Sequence, residues 1–511
     1  MDMAVTEETF EPVGALVRRR AVDDPDHIAL IDETRQLTYG DLDGVINRAS
    51  AAIQRDGLGL GDVVAICASN SIAYAALYLA ATNVGVVVAP LPVSATAQAL
   101  QSMILDSGAR LIFADTRMIE TLDAVADRIP GRVISLSDEW ESWLEPAGAK
   151  PRPAHIEPTD VFNIIYSSGT TGTPKGIVQP HSMRIAHVNL GASHGYDGDA
   201  VTLLSTPLYS NTTLVSFFPT LAMGGTAILM RRFDVLTFLA LVEKHRVTHA
   251  MLVPIQYQRL MDHPRLADFD LRSLTTKFCT SSPFTPELKT EVLRKLPGRL
   301  LEYYGMTEGG GLCVLEAHAF PDKLHTVGQP AEGNDMRIIG DDGQELPQGS
   351  VGEIVGRSVN VMLGYHNQPE LTEAAQWRNT EGQAFIRTGD IGRFDEEGFL
   401  TLLDRKKDLI ISGGFNIYPS DIEEVLRTHP RVLEAAVLGV PSKQWGETPV
   451  AFVVLYSGTE ADPAALMDWA NQKLGKTQRV AALHVLDHLP RNAIGKILKR
   501  ELRDRAQKVI E

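Results

Sequence analysis

Tyr166-Ser-Ser-Gly-Thr-Thr-Gly-Thr-Pro-Lys175-Gly-Ile-Val178 is the stretch on which the reading of this chain turns. Apolar residues 161–166 run into it and polar residues leave it, so the pattern predicts a strand before it and a helix opening near His181 after it. Glycines let successive backbone N–H groups turn toward one anion, Thr170, Thr171 and Thr173 add hydroxyl donors, and Lys175 adds a positive charge. Such a loop suits a polyphosphate. It is not the Walker A loop, whose lysine follows the last glycine and precedes Ser or Thr, because here Lys175 precedes Gly176. Working outward, the pattern predicts a helix over 13–22, a hairpin over 29–38, a helix over 39–56 and a strand over 63–67. Beyond the loop it predicts helices over 214–223, 235–245, 255–262 and 286–295 and strands over 250–253, 277–280 and 300–303. Helices alternating with strands imply helix-covered, mostly parallel sheets, and the similar rhythm of the two halves allows two related sheets.

A chain of 511 residues with 44% hydrophobic content fills more than one domain. Cys67, Cys279 and Cys313 lie far apart with no paired spacing, which points to small buried hydrophobes in a reducing compartment rather than to disulfides or zinc. The net charge of −16 argues against a nucleic-acid partner. An anionic ligand must then find local basic groups: Lys175, the Arg405-Lys406-Lys407 cluster, and Arg491, Lys496, Lys499 and Arg500. The acidic start has no basic-then-apolar export plan, so a cytoplasmic location is expected. Residues 71–105 carry no charge, yet Asn83, Gly85, Pro90 and Pro92 interrupt them; the expectation is a buried Ala-rich helix, a strand over 86–89 and a loop, not a membrane span. Residues 147–158, rich in proline, read as a linker.

The quoted loop resembles the phosphate loop of the adenylate-forming superfamily, which holds acyl- and aryl-CoA synthetases, peptide-synthetase adenylation domains and firefly luciferases. Other stretches resemble the later motifs of that superfamily in their order: Tyr303-Tyr-Gly-Met-Thr-Glu308-Gly-Gly-Gly311, Arg387-Thr-Gly-Asp390, Leu403-Asp-Arg-Lys-Lys-Asp408, Ser412-Gly-Gly414 and Pro490-Arg-Asn-Ala-Ile-Gly-Lys496. The resemblance runs from about residue 13 to 503. It implies an α/β fold, with an AMP-binding domain over 1–404 that includes a small β subdomain, and a mobile α+β lid over 405–511 hinged at Lys407.

The implied reaction has two steps: a carboxylate attacks the α-phosphate of Mg-ATP to give an acyl-adenylate, and the thiol of coenzyme A then takes the acyl group and expels AMP. The resemblance assigns ATP to Ser167, Ser168, Gly169, Thr170, Thr171, Gly172, Lys175, Tyr304, Thr307, Asp390, Arg405 and Lys496, with Glu308 as the Mg2+ ligand. These residue types suit those tasks. A tyrosine ring stacks on adenine, a hard carboxylate oxygen holds Mg2+, an aspartate accepts from both ribose hydroxyls, and the Lys496 ammonium bridges two anions that must meet. The acid is expected to lie near Tyr209, Ser210, Asn211, Ser281, Gly305 and Gly309, with Gly309 to Gly311 leaving room for a broad aryl, arylpropenoic or medium-chain acid. Ser210 stands where the family often has His, and it also reads as an ordinary helix cap. Gly413 and Gly414 match the pantetheine tunnel, though a glycine hairpin explains them equally well. Trp445 and Arg479 are candidate CoA contacts or plain surface residues. Residues 91–93 lack the basic group, and residues 477–480 the aromatic and the proline, that are common in CoA ligases, so loading of a carrier protein stays open as the alternative acceptor. A monomer or homodimer is expected.

Overall fold

The computed structural model describes residues 10–167, 175–412, 415–442, 445–492 and 495–510. It forms two compact units, Met1–Asp335 with Gly356–Ile386, and Met336–Val355 with Arg387–Glu511. Residues 336–355 and 387–404 thus fall in the same unit as residues 405–511.

Two sheets build the first unit. Seven strands run in the order Gly364–Tyr365, Lys175–Pro180, Val161–Ser167, Val87–Pro90, Val63–Cys67, Leu111–Ala114 and Arg132–Ser135. The second sheet, of nine strands, runs Gln329–Pro330, Leu312–Glu316, Arg299–Gly305, Thr276–Cys279, His249–Leu252, Val201–Leu204, Thr226–Leu229, Ile28–Ile31 and Gln36–Thr38. Pairing is parallel through the middle of each; it turns antiparallel at both edges of the nine-stranded sheet and at the Gly364–Tyr365 edge of the seven-stranded one, whose other edge strand, Arg132–Ser135, stays parallel. Central strands such as Val63–Cys67 are covered on both faces, which is why they read as unbroken apolar runs. Helices Val13–Asp23, Tyr39–Arg55, Ile72–Asn83 and Asn211–Met223 share one apolar core with them. Ile72–Asn83 is buried almost all round, which accounts for the lack of charge in its sequence. Among the described residues no helix is long and apolar enough to cross a membrane. All three cysteines are buried and free.

Several expectations need correction. The loop expected at the end of the charge-free run is instead the helix Ala97–Ser107, capped by Thr96 at one end and by the left-handed Gly108 at the other. Its apolar positions Leu100, Met103 and Ile104 fall on one face, a periodicity that the preceding prolines disguise. The stretch after residue 174 does not lead straight into a helix. Lys175–Pro180 is a strand, antiparallel to Val161–Ser167, and only then does helix His181–Ser193 begin; buried Gln179 makes the strand look polar. The helix expected over 214–223 starts at Asn211, and Ser210 sits at its cap position without a side-chain cap bond.

In the second unit Ala384–Phe394 pairs antiparallel with Leu400–Arg405. A further sheet has the order Phe415–Ile417, Ile410–Ser412, Gly446–Leu455, Val432–Ser442, with Ala482–Leu486 also on Gly446–Leu455. Alternation along Val432–Ser442 sends Ala435 and Val437 toward helices Pro419–Arg427 and Pro463–Asn471, and Ala436 and Leu438 toward helix Lys499–Ile510. That last helix, which the sequence reading does not place, follows Lys496 closely.

Candidate active site

In the first unit Ser167 and Lys175 face each other at the end of an antiparallel pair, so residues 168–174 join two strands of one hairpin. Ser168, Gly169, Thr170, Thr171 and Gly172 lie outside the described residues. A third strand brings Tyr365 opposite Ile177, on the same face as Lys175. The Lys175 ammonium stands 5.4 Å from the centre of the Tyr365 ring, and the Tyr365 hydroxyl donates to Glu308 Oε1 at 2.9 Å. Burial first, then the Glu308 charge and hydrogen bond, push the phenol up, so it remains a donor. Tyr365 thus holds together a lysine and a carboxylate that come from two separate motifs.

Glu308 lies in the connection between the antiparallel strands Arg299–Gly305 and Leu312–Glu316. Its carbonyl accepts from Met362 N at 2.8 Å, and Gly310 N donates to Asn360 O at 2.7 Å. Gly309 and Gly310 have φ of 74° and 89°. A Cβ on Gly309 would come within 2.0 Å of Asn360 O, and one on Gly310 within 2.7 Å of Ile386 Cβ. The expected spare volume at these glycines is therefore overturned: at both positions the space a side chain would need is taken by neighbouring chain.

Tyr304, with 9% of its surface exposed, pairs with Cys313 at the carboxyl end of its strand. Below it the strand is anchored by a buried ion pair, Lys289 Nζ to Glu302 Oε2 at 2.5 Å, while the same ammonium donates to the carbonyls of Leu324 and Thr326. The Thr307 carbonyl accepts from Gln179 Nε2 at 2.6 Å. On the acid side, Asn211 opens its helix, Thr212 Oγ1 meets Ser281 Oγ at 2.6 Å, and Ser281 holds a φ of 83° that non-glycine residues seldom adopt. Burial raises the nearby Tyr209 phenol to about 12, with a Ser94 hydrogen bond opposing. Ser210 is buried.

The second unit pairs two of the expected nucleotide residues. Asp390 and Arg405 are partners across adjacent strands, Arg405 Nε to Asp390 Oδ1 at 2.8 Å. Arg387 grips Glu353 with both prongs at 3.1 and 2.5 Å, and Lys406 reaches the same carboxylate at 3.2 Å. Lys496 sits on a turn in which its N–H donates to Asn492 Oδ1 at 2.9 Å and Arg491 braces the Gly495 carbonyl at 2.5 Å. Arg491 is itself fixed by Glu434 at 2.5 Å. The Lys496 ammonium is lowered to about 8 by desolvation, then by Arg405 and Lys407, with Asp390 and Asp408 pulling back. Because the residue itself stays exposed, the two cationic neighbours are the firmer cause. Lys407 lies in the short turn Lys406–Asp408. Trp445 and Arg479 are exposed, and Ser412 pairs with Phe415 across Gly413 and Gly414, which lie outside the described residues.

The sequence reading misses Tyr365, Gln179, Glu353 and Glu434. Each acts through a partner distant in sequence, so nothing in its immediate surroundings signals the role. For the tyrosine, the pairing of Gly364–Tyr365 with the Lys175 strand is what reveals it. Among the described residues no group of three or more His, Cys, Asp or Glu forms a cage for a metal. Mg2+ carried on nucleotide phosphates needs only one or two carboxylates, and Glu308 fits that need. Tyr365→Phe keeps the ring under Lys175 and removes the hydroxyl; kcat/KM for Mg-ATP is expected to fall about tenfold, the lower end for a hydrogen bond to a charged group, with the KM for acid unchanged in initial-rate assays.

Residues 17–366 match the AMP-binding enzyme family, and residues 421–496 match the AMP-binding enzyme C-terminal domain. The chain is similar to feruloyl-CoA synthase of Amycolatopsis sp, at 34% identity over 496 residues, covering 96% of this chain and 99% of the relative. It is also similar to the fatty acid–[acyl-carrier-protein] ligase ScoC of Streptomyces coeruleorubidus, at 32% identity over 94% of each chain. Among solved structures, ATP-bound MatB from Rhodopseudomonas palustris superposes with a TM-score of 0.87 at 30% identity, covering 98% of this chain and all of that one. The chain belongs to the adenylate-forming superfamily of AMP-binding enzymes, the family of the AMP-forming acid–CoA ligases.

Proposed function

We propose that Lys175, Thr307 and Glu308 bind the Mg-ATP phosphates, that Tyr304 stacks on adenine, and that Asp390 and Arg405 take the ribose. The observation that carries this reading is the linked set Lys175, Tyr365 and Glu308, which offers a cation for phosphate oxygens beside a carboxylate for the metal. Bound Mg2+ supplies charge neutralisation at the phosphates. Lys496 then neutralises the meeting of carboxylate and α-phosphate, two anions that otherwise repel. In the second half-reaction residues 405–511, hinged at Lys407, act as a lid, with Gly413, Gly414, Trp445 and Arg479 receiving coenzyme A. The enzyme works in the cytoplasm, as a monomer or homodimer and without a nucleic-acid partner.

The acid is an aryl, arylpropenoic or medium-chain one, held near Tyr209, Ser210, Asn211, Ser281 and Gly305. Support comes from the feruloyl-CoA and indoleacetate–CoA ligases among its relatives. A carrier protein is the second reading for the acceptor, favoured by the likeness to ScoC. The test is ATP-dependent AMP release across aromatic and aliphatic acids, each with and without coenzyme A. AMP that rises only with both acid and coenzyme A supports the ligase; pyrophosphate release that coenzyme A does not alter moves the carrier protein to first place. Turnover of acetate or propionate alone would overturn the acid assignment.

A further inference from the structure

Arg184, on helix His181–Ser193, is fully buried and has no carboxylate partner among the described residues. One of its nitrogens, NH2, donates to Gln179 Oε1, while Nε and NH1 have no hydrogen-bond partner. Its guanidinium lies 5.7 Å from the Phe162 ring centre and 5.9 Å from that of Phe218. Around it other polar atoms are also unpartnered: Asn163 Oδ1, both ring nitrogens of His181, and Nδ1 of His187. Both histidines are held neutral by burial, His181 near 4 and His187 near 3, and burial lowers Arg184 only to about 10, so the cluster keeps one positive charge at neutral pH.

A buried charge without a counter-ion is among the costliest features a fold can carry. Water would satisfy the loose donors but would not balance the charge; an anion does both. Arg184 also has a direct link to the reaction site. Gln179, which accepts from Arg184, donates to the carbonyl of Thr307, and the helix that carries Arg184 follows immediately on the strand that starts with Lys175. Because Gln179 is occupied on both sides, the fork of Arg184 is fixed with its NH1 and Nε edge unspent.

We infer that Arg184 is the receptor for a second carboxylate on the acid substrate, so that the preferred acid is a dicarboxylic one whose distal group pairs with this guanidinium. The inference rests on the acid–CoA ligase reading and narrows its substrate class.

The experiment uses the full chain and matched acids: a homologous series of medium-chain monocarboxylic acids against their α,ω-dicarboxylic counterparts, and cinnamate against its ring-carboxylated forms. CoA-dependent AMP release is measured for the parent, Arg184→Met and Arg184→Lys. For the parent, kcat/KM for the best dicarboxylic acid is expected to exceed that of its monocarboxylic partner by about tenfold or more, and Arg184→Met is expected to cut that ratio by about thirtyfold or more. Arg184→Lys keeps the charge without the fork and should fall between. Thermal unfolding supplies a second readout: Arg184→Met removes an uncompensated buried charge, so its Tm should equal or exceed that of the parent. A parent that prefers monocarboxylic acids throughout, or a variant that slows both classes equally, overturns the inference. So does a parent whose Tm rises with chloride or inorganic phosphate while Arg184→Met does not respond and monocarboxylic acids stay preferred, since a free ion would then be the occupant. If no acid releases AMP, the ligase reading fails, and calorimetric titration of the dicarboxylic acids into parent and Arg184→Met still decides the role of Arg184.

Discussion

Lys496→Ala is expected to lower adenylate formation by about 10²–10³-fold, the loss typical when one preorganised charge-stabilising group is removed. Thioester formation from a supplied acyl-adenylate should stay near the parental rate, because that step no longer joins two anions. Pyrophosphate release measures the first step, and coenzyme A consumption with synthetic adenylate measures the second. Equal loss in both would mean that Lys496 braces the turn held by Asn492 and Arg491 rather than acting on the reaction. The same side chain sets a pH limit. Desolvation, with Arg405 and Lys407, holds the ammonium near 8, so kcat/KM for Mg-ATP, which reports the free enzyme, should fall as pH rises through about 8. Lys496→Arg, always charged, should remove that fall from whatever activity it retains.

Lys289→Met is expected to destabilise the first unit by about 3–5 kcal/mol, because it leaves the buried Glu302 carboxylate without its cation. Burial already pushes Glu302 up, with Lys289 pulling it down, so loss of the lysine raises it further. The sign follows. A carboxylate whose folded pKa lies above its unfolded value of 4.5 keeps its full stability below that value and loses stability as pH rises toward the folded pKa. The parent shares that loss up to about 7, so the deficit of Lys289→Met should be smallest below neutrality and grow as pH rises above about 7 in urea unfolding. Adding Glu302→Leu should restore most of it; a deficit that is flat with pH and survives the second substitution would assign the loss to packing instead.

The motifs are legible because each carries its chemistry in neighbouring residues. Lys175, Thr307, Glu308, Asp390 and Arg405 all fall at strand ends, in the turns between strands or on paired strands. What holds them is not legible. Tyr365 meets Glu308 across 57 positions, and Glu434 meets Arg491 across another 57, so no local pattern announces either contact. Period and composition also mislead where a polar residue is buried. Gln179 hides a strand because its amide is satisfied by Arg184 and Thr307. Gly309 and Gly310 read as open space since a missing side chain looks the same in a sequence whether it makes room or yields it. Helix Asn211–Met223 begins earlier than its pattern suggests because Asn211, Thr212 and Thr213 are weak helix formers, and packing against the core decides their state.

For anyone who would redirect this enzyme toward a new acid, the crowding at Gly309 and Gly310 draws a map of permissible change. Combinatorial libraries that randomise those two codons would consist mostly of misfolded clones, whatever the target compound. Gly305 is more forgiving: an added methyl would meet only Gly311 O at 3.3 Å and Leu312 Cδ1 at 3.4 Å, contacts that a slight shift relieves. Diversity is better spent there and at Asn211, whereas Ser281, with its left-handed backbone and its hydrogen bond to Thr212, is as constrained as the two glycines.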